Sequence, residues 1–295
     1  MSRPRLLALC SAALMSLGVA TGCSRNDSNE PAVATPRVEV NHTRAPAGSP
    51  LELAYSFEVA PGAAFAGDYR VMLHVVDTDE ELMWTDDHDP PVPTSTWQPG
   101  QTIRYTRTIF VPVFPYVGPA TLQIGLYSAD DQRRLVLAGD DAGQRAYRVG
   151  TLDLLPQTEN LQMLFKDGWH PAETAGTNAT VEWQWTKQAA TLAFRNPTKD
   201  AVFYLEVDSP GADLHGPQAV EVRLAGQPVD EFTLSPNEPQ LRKIKLPADL
   251  LGTNDMAELQ ISVDKTFVPA VVSPSTSKDP RELGVRVFHA FVDPR

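Results

Sequence analysis

From residue 37 onward the chain alternates apolar and polar side chains with a period of two, the mark of half-buried strands. Leu51, Leu53, Tyr55, Phe57 and Val59 share one face, while Glu52, Ala54, Ser56 and Glu58 share the other. Val71, Leu73 and Val75 repeat the pattern, followed by Ile103 and Tyr105 and then by Leu122, Ile124 and Leu126. Turn formers separate these segments at Pro61-Gly62, Gln98-Pro99-Gly100 and Val117-Gly118-Pro119. Short strands at this spacing, with almost no helical period, predict an antiparallel sandwich over residues 37–155, of immunoglobulin or fibronectin type.

Leu154 to Asn160 interrupts the alternation, and residues 156–161 read as a linker. A second set of strands follows. Val181, Trp183 and Trp185 alternate with Glu182 and Gln184, Phe203, Leu205 and Val207 with Tyr204 and Glu206, and Val220, Val222 and Leu224 with Glu221 and Arg223. Leu259, Ile261 and Val263 complete the set, and Leu283 to Val292, apolar on both faces, suits a central strand. Strand periodicity puts His289 on the face of Leu283, Val285 and Val287. One helical turn is predicted around Pro247 to Leu251, and a Ser/Pro-rich surface loop from Val272 to Pro280. Eight or so strands predict a jelly-roll-like sandwich over residues 162–295. The fold class is all-β: two antiparallel β-sandwich domains.

The first apolar run is of another kind. Arg3 and Arg5 precede an apolar run from Leu6 to Val19, and Ala20-Thr21-Gly22-Cys23 leads into polar sequence. The run is too short and wrongly flanked for a spanning helix, and reads as an export signal. Small residues followed at once by Cys resemble the lipobox of bacterial lipoproteins, with Ala20 where that family usually has Leu. The resemblance implies that residues 1–22 are removed, that Cys23 is acylated, and that the lipid bilayer is a partner. Ser24 resembles the outer-membrane sorting pattern, which implies a lipid-anchored envelope protein facing the periplasm or the surface. The alternative is an ordinary signal peptide cut near Gly22, leaving Cys23 a free thiol. Each buried acyl methylene contributes about 0.8 kcal/mol, so several chains give an essentially permanent hold. Residues 23–36, polar and turn-rich, read as a flexible tether reaching about 40 Å when extended.

Charge and cysteine content narrow the function classes. The chain has 25 basic and 37 acidic residues; without Arg3 and Arg5 the balance is 23 − 37 = −14. Such a surface disfavours nucleic acid, whose phosphates need basic partners. Cys10 is the only cysteine besides Cys23 and lies in the signal. The mature chain therefore has no second thiol for a disulfide, a Cys/His zinc site or a redox pair. No cofactor is expected.

Gly168-Trp169-His170 with Glu173, Trp183-Gln184-Trp185, Thr266-Phe267-Val268-Pro269 and the run from Asp279 to Val287 together resemble an accessory β-sandwich appended to bacterial glycosyltransferases and other envelope glycan-handling proteins. The resemblance covers roughly residues 162–293. It implies a sugar-related setting, with a glycan or a glycan-assembly protein as partner, and carries no transferase activity.

Candidate chemistry is sparse. Asp77, Asp79, Glu80 and Glu81 with Asp86, Asp87, His88 and Asp89 could gather calcium or supply paired carboxylates for glycoside hydrolysis. Leu82 stands where an EF-hand needs Gly, and a solvated hairpin loop accounts for the same residues. As metal ligands Asp86, Asp87 and Asp89 are the candidates, although no metal is expected. Trp183 and Trp185 share a strand face and serve either as a sugar platform or as core. Trp169, beside His170 and Glu173 in a Gly-preceded loop, reads as the exposed site. His74 and His289 lack a second His at ligand spacing, and His170 and His215 fall in loops. No Gly-x-Ser-x-Gly, His-Glu-x-x-His or phosphate loop occurs. The reading is a non-catalytic binding or scaffolding module. Its alternatives are a glycan-active hydrolase using Asp86, Asp87, Asp89 or Glu173, and a structural spacer.

Overall fold

The computed structural model describes residues 30–295 except 114–115, 176–177, 211–213 and 215; Cys23, the signal and His215 lie outside them. Ala32–Arg295 forms one compact unit. The strands of its first sandwich are β1 (Ala34–Val40), β2 (Arg44–Pro46), β3 (Pro50–Val59), β4 (Tyr69–Val76), β5 (Leu82–Thr85), β6 (Thr102–Phe110), β7 (Gly118–Ser128), β8 (Asp140–Gly143) and β9 (Ala146–Leu155). One sheet has the order β1-β3-β6; the other runs β2-β9-β7-β4-β5, with β8 on β9. All pairings are antiparallel except β2 with β9. This order is that of strands A, B and E facing G, F and C in an immunoglobulin-type sandwich. Leu51, Leu53, Tyr55, Phe57 and Val59 are buried against Val71, Leu73, Val75, Leu122, Ile124 and Leu126, as their alternation demands.

β1 starts inside the segment read as tether. Ala34 and Val38 point into the core, and Ala34 pairs with Val59 across seven registered positions ending at Val40 and Leu53. Pro36 does not interrupt the strand, because β1 lies at a sheet edge, where proline is tolerated.

The second sandwich comprises β10 (Met163–Phe165), β11 (Glu173–Ala175), β12 (Asn178–Trp185), β13 (Ala189–Arg195), β14 (Ala201–Asp208), β15 (Gln218–Leu224), β16 (Gln227–Leu234), β17 (Gln240–Leu246), β18 (Met256–Val263) and β19 (Arg286–Pro294). Its sheets are β10-β13-β18-β15-β16 and β11-β12-β19-β14-β17. Strands β12 to β19 cross between the sheets in jelly-roll order, with β10 and β11 added at the edges. As its apolar faces require, β19 sits centrally between β12 and β14. The turn α1 (Ala248–Leu251) matches expectation, whereas α2 (Pro269–Val272), opened by a proline in its first turn, arises within an otherwise irregular connection.

His289 departs from its expected face. The β14–β19 register pairs Val207 with Val287 but Glu206 with His289, so Phe288 is an extra, bulged residue. One inserted residue reverses the phase. Val285 and Val287 stay in the core, while His289 turns outward to Glu206, with Nδ1 and Oε2 2.6 Å apart.

That outer face meets the first sandwich. His289 stacks on Phe110 with ring centroids 3.8 Å apart, and Tyr204 OH and Lys243 Nζ each donate to Glu52 Oε1 at 2.8 Å. Arg295 donates to the Tyr204 hydroxyl, and Asn160 Nδ2 donates to the Ala47 carbonyl at 2.8 Å. Tyr204 is wholly buried although it lies on the polar side of its strand, because the neighbouring sandwich covers it. Burial pushes the Tyr204 hydroxyl pKa up. At Glu52 burial acts in the same direction but is outweighed by Lys243, Tyr204 and Arg295, which hold the carboxyl below its ordinary range. Among the described residues no helix is long and apolar enough to cross a membrane.

Candidate binding groove

The residues that resemble the accessory sandwich interlock. Gly168 has φ +86°, and a Cβ there would lie 1.9 Å from the Ala189 carbonyl, so only glycine permits this approach. Its carbonyl accepts from Lys187 N–H at 2.8 Å, and His170 N–H donates to Trp185 O at 2.9 Å. Trp169 is half-buried on the core, its indole N–H donating to Thr191 O at 2.8 Å and its ring meeting Phe165 edge-on. His170 is buried, with Nε2 donating to the Glu282 carbonyl at 2.7 Å. Thr186, wholly buried, takes Gly284 N–H on its carbonyl and Val285 N–H on its hydroxyl at 2.7 and 3.1 Å. Glu173 faces Arg281 at 2.6 Å, and Arg281 also grips Asp279. The motif is a clasp closing one end of the jelly roll.

Trp185 is buried with Leu214, Phe267 and Leu283, and Trp183 packs against them. Both rings flank the Arg286 guanidinium at 5.7 Å, with Phe288 at 5.4 Å, while Asp208 holds the same guanidinium through two hydrogen bonds of 2.8 and 2.5 Å. These aromatics cage an arginine of their own chain.

The acidic stretch is similarly engaged. Asp77 Oδ1 accepts from the N–H groups of Asp79 and Glu81, both at 2.9 Å, closing the β4–β5 turn. Asp87 accepts Leu73 N–H at 3.2 Å, and Asp89 accepts from Arg70 at 3.1 Å. Asp86 enters the sandwich interior, where Arg107 donates to both its oxygens at 2.8 and 2.7 Å and Tyr55 OH donates at 3.2 Å. His88 Nδ1 lies 2.8 Å from the Asp86 carbonyl, which can only accept, so Nε2 accepts from Tyr105 OH at 2.8 Å. Burial favours this neutral ring and lowers its pKa, just as it raises the pKa values of Tyr55 and Tyr105. Among the described residues no group of three or more His, Cys, Asp or Glu is placed to hold a metal. Asp86, Asp87 and Asp89 lie in the first sandwich and Glu173 in the second, so the structure does not bring them together.

Unengaged polar groups converge elsewhere, on the outer face of β1-β3-β6. Register sets Arg37, Ser56 and Arg104 in one cross-strand row, with Glu39, Ala54 and Thr106 on one side and Thr35, Glu58 and Thr102 on the other. Ala54 and Ser56 on the middle strand are shorter than Arg37 and Glu39 on β1 and Arg104 on β6, and this face carries a groove of about 590 Å³. Adjacent strands are about 4.8 Å apart, so the two arginines rise from backbones about 10 Å apart. Arg37 and Arg104 are both exposed. The groove offers donors, acceptors and hydroxyls side by side, suited to a ligand dense in hydroxyl groups. In sequence these residues look like the wet side of ordinary strands; only the pairing of β1, β3 and β6 assembles them.

No protein-family model matches the chain, and no curated protein sequence does. Among solved structures it is similar to the CBM36-1 domain of a multidomain xylanase from the hindgut metagenome of Trinervitermes trinervoides, at 7% identity over 45% of this chain and 95% of that chain, with a TM-score of 0.26. The tandem CBM22-1-CBM22-2 domain of Paenibacillus barcinonensis Xyn10C matches at 10% identity over 89% and 92% of the two chains, with a TM-score of 0.26. Bacteroides uniformis beta-glucuronidase 2 matches at 10% identity over 92% of this chain and 30% of its own length, with a TM-score of 0.27.

Proposed function

We propose that this chain is an envelope lipoprotein, acylated at Cys23, that holds a non-catalytic glycan-binding body at the outer membrane. The observation that carries the binding role is the groove on β1-β3-β6, where Arg37, Ser56 and Arg104 stand in one row between Glu39 and Glu58. A sugar hydroxyl can accept from a guanidinium and donate to a carboxylate at once, so alternating charges suit a glycan chain. The glycan-handling resemblance of the second sandwich points the same way. Its aromatic residues act within the protein, and recognition in this reading is polar rather than by ring stacking.

The test is a glycan array with the chain from residue 24, which retains the whole compact unit Ala32–Arg295. Arg37→Ala and Arg104→Ala each weaken the binding by about tenfold to a hundredfold, the effect of one charge-assisted hydrogen bond. Trp183→Phe leaves it unchanged. A glycan signal insensitive to both arginine substitutions refutes the groove as the site. Labelled palmitate incorporated by the parent chain but not by Cys23→Ala tests the anchor separately.

A further inference from the structure

We infer that the groove on β1-β3-β6 is a clamp for a carboxylate, and that its ligand is an acidic glycan built from uronic acids. The inference rests on the groove as a glycan site and narrows what that site takes. Arg37 and Arg104 stand in one cross-strand row on either side of Ser56. Neither side chain has an ion pair or a hydrogen bond among the described residues. Of the other described arginines, all but Arg195 on β13 are engaged by a carboxylate, a carbonyl or another group of the chain.

Partners for the pair are close at hand. Glu58 lies diagonally from both arginines, and Glu39 is two residues from Arg37 on the same face of β1. Long side chains span such diagonals, yet neither guanidinium turns to its neighbour. Water satisfies a solitary surface arginine. Here two share one floor, each with five N–H donors unspent.

That floor is low. Ser56 is short and half-buried, and its hydroxyl adds a donor between the arginines. The strands that carry Arg37 and Arg104 lie about 10 Å apart, so two extended side chains can converge over Ser56 on a single anion. A carboxylate meets a guanidinium edge with two parallel hydrogen bonds and can divide its oxygens between two arginines. Charge selects among anions. Arg37 and Arg104 against Glu39 and Glu58 leave the groove with no net charge, on a chain whose formal charge is −12. One negative charge is accommodated there, whereas the second charge of a phosphate monoester would face both glutamates. Glu39, Glu58, Thr102 and Thr106 remain to take sugar hydroxyls, which sets a glycan apart from a bare acid.

The experiment is calorimetric titration of the chain from residue 24 with short oligomers of galacturonic, glucuronic and mannuronic acid, each against its methyl ester, which keeps the backbone and removes the charge. At least one acid form should bind about tenfold or more tighter than its ester, the effect of a charge-assisted hydrogen bond. Raising NaCl from about 0.05 to 0.5 M should weaken the acid form several-fold and spare the ester. Arg37→Gln and Arg104→Gln should each remove most of the preference. Ser56→Asp, which sets a carboxylate of the protein between the arginines, should remove it with both guanidiniums in place. Glu58→Gln should strengthen the acid form at low salt. Unchanged thermal melting reports that each variant folds. Equal binding of acid and ester, or hits confined to neutral glycans, overturns the clamp and leaves the groove standing as a glycan site. A sulfated galactan that competes as well as the uronate overturns the carboxylate in favour of charge alone. Binding of no glycan at all overturns the reading on which the clamp rests, and the clamp with it.

Discussion

Removing the Arg107 charge tests whether the acidic loop is architecture or chemistry. In Arg107→Met the Asp86 carboxylate, 12% exposed, loses both of its shortest hydrogen bonds and keeps only Tyr55 OH at 3.2 Å. Breaking a fully buried pair costs about 3–5 kcal/mol. Arg107 is 37% exposed, so water already reaches the pair, and a cost of about 2–3 kcal/mol is expected. Asp86→Asn keeps an acceptor for Tyr55 and costs about 1–2 kcal/mol, because the freed guanidinium can turn to solvent. With both changes no unpaired charge remains, and the double variant should fall short of the sum by at least about 1 kcal/mol. Urea titration with hydrogen exchange followed on first-sandwich peptides gives all four values. Additivity within about 0.5 kcal/mol refutes the pairing argument. A stability gain from calcium that vanishes in Asp86→Asn would restore the metal reading.

Three further outcomes follow. Gly168→Ala should cost more than about 3 kcal/mol and Gly62→Ala only about 1 kcal/mol, because both have positive φ but only Gly168 has a carbonyl where the Cβ must go; equal melting shifts contradict the clasp. His88 has a lowered pKa in the fold, so the unfolded chain binds more protons below about 6.5 and stability falls as pH drops from there until the folded value is passed. His88→Gln should flatten that slope between about pH 7.5 and 5.5, and an unchanged slope assigns it to His74, whose burial acts in the same direction. Phe110→Ala combined with Glu52→Gln should loosen the junction by about 2–3 kcal/mol and speed proteolysis within residues 156–161, while each sandwich retains its core; a cleavage rate equal to the parent's argues that other contacts hold the two together.

Strand periodicity made the body legible because one face of nearly every strand is core. Val71, Leu73 and Val75, or Leu259, Ile261 and Val263, need no partner to reveal which side is buried. What escaped the sequence depends on register. The bulge at Phe288 that turns His289 outward leaves no compositional trace, and Tyr204 sits at a polar position yet is buried by another sandwich. The groove was hidden for the same reason, since Arg37, Ser56 and Arg104 become neighbours only when three distant strands pair. Trp169 looked exposed because Gly168 and His170 suggest a loop. That loop is turned inward by hydrogen bonds to the backbone around Trp185 and Ala189, whose position no local pattern discloses.

The way β1 lies in its sheet has a mechanical consequence. The strand enters at Ala34 and runs toward the end where Phe110 and Glu52 meet the second sandwich, paired with β3 at seven positions along the way. With the N-terminus anchored as proposed, a load on the far sandwich pulls along the strand, straining its ladder in shear so that many hydrogen bonds must fail together instead of unzipping singly.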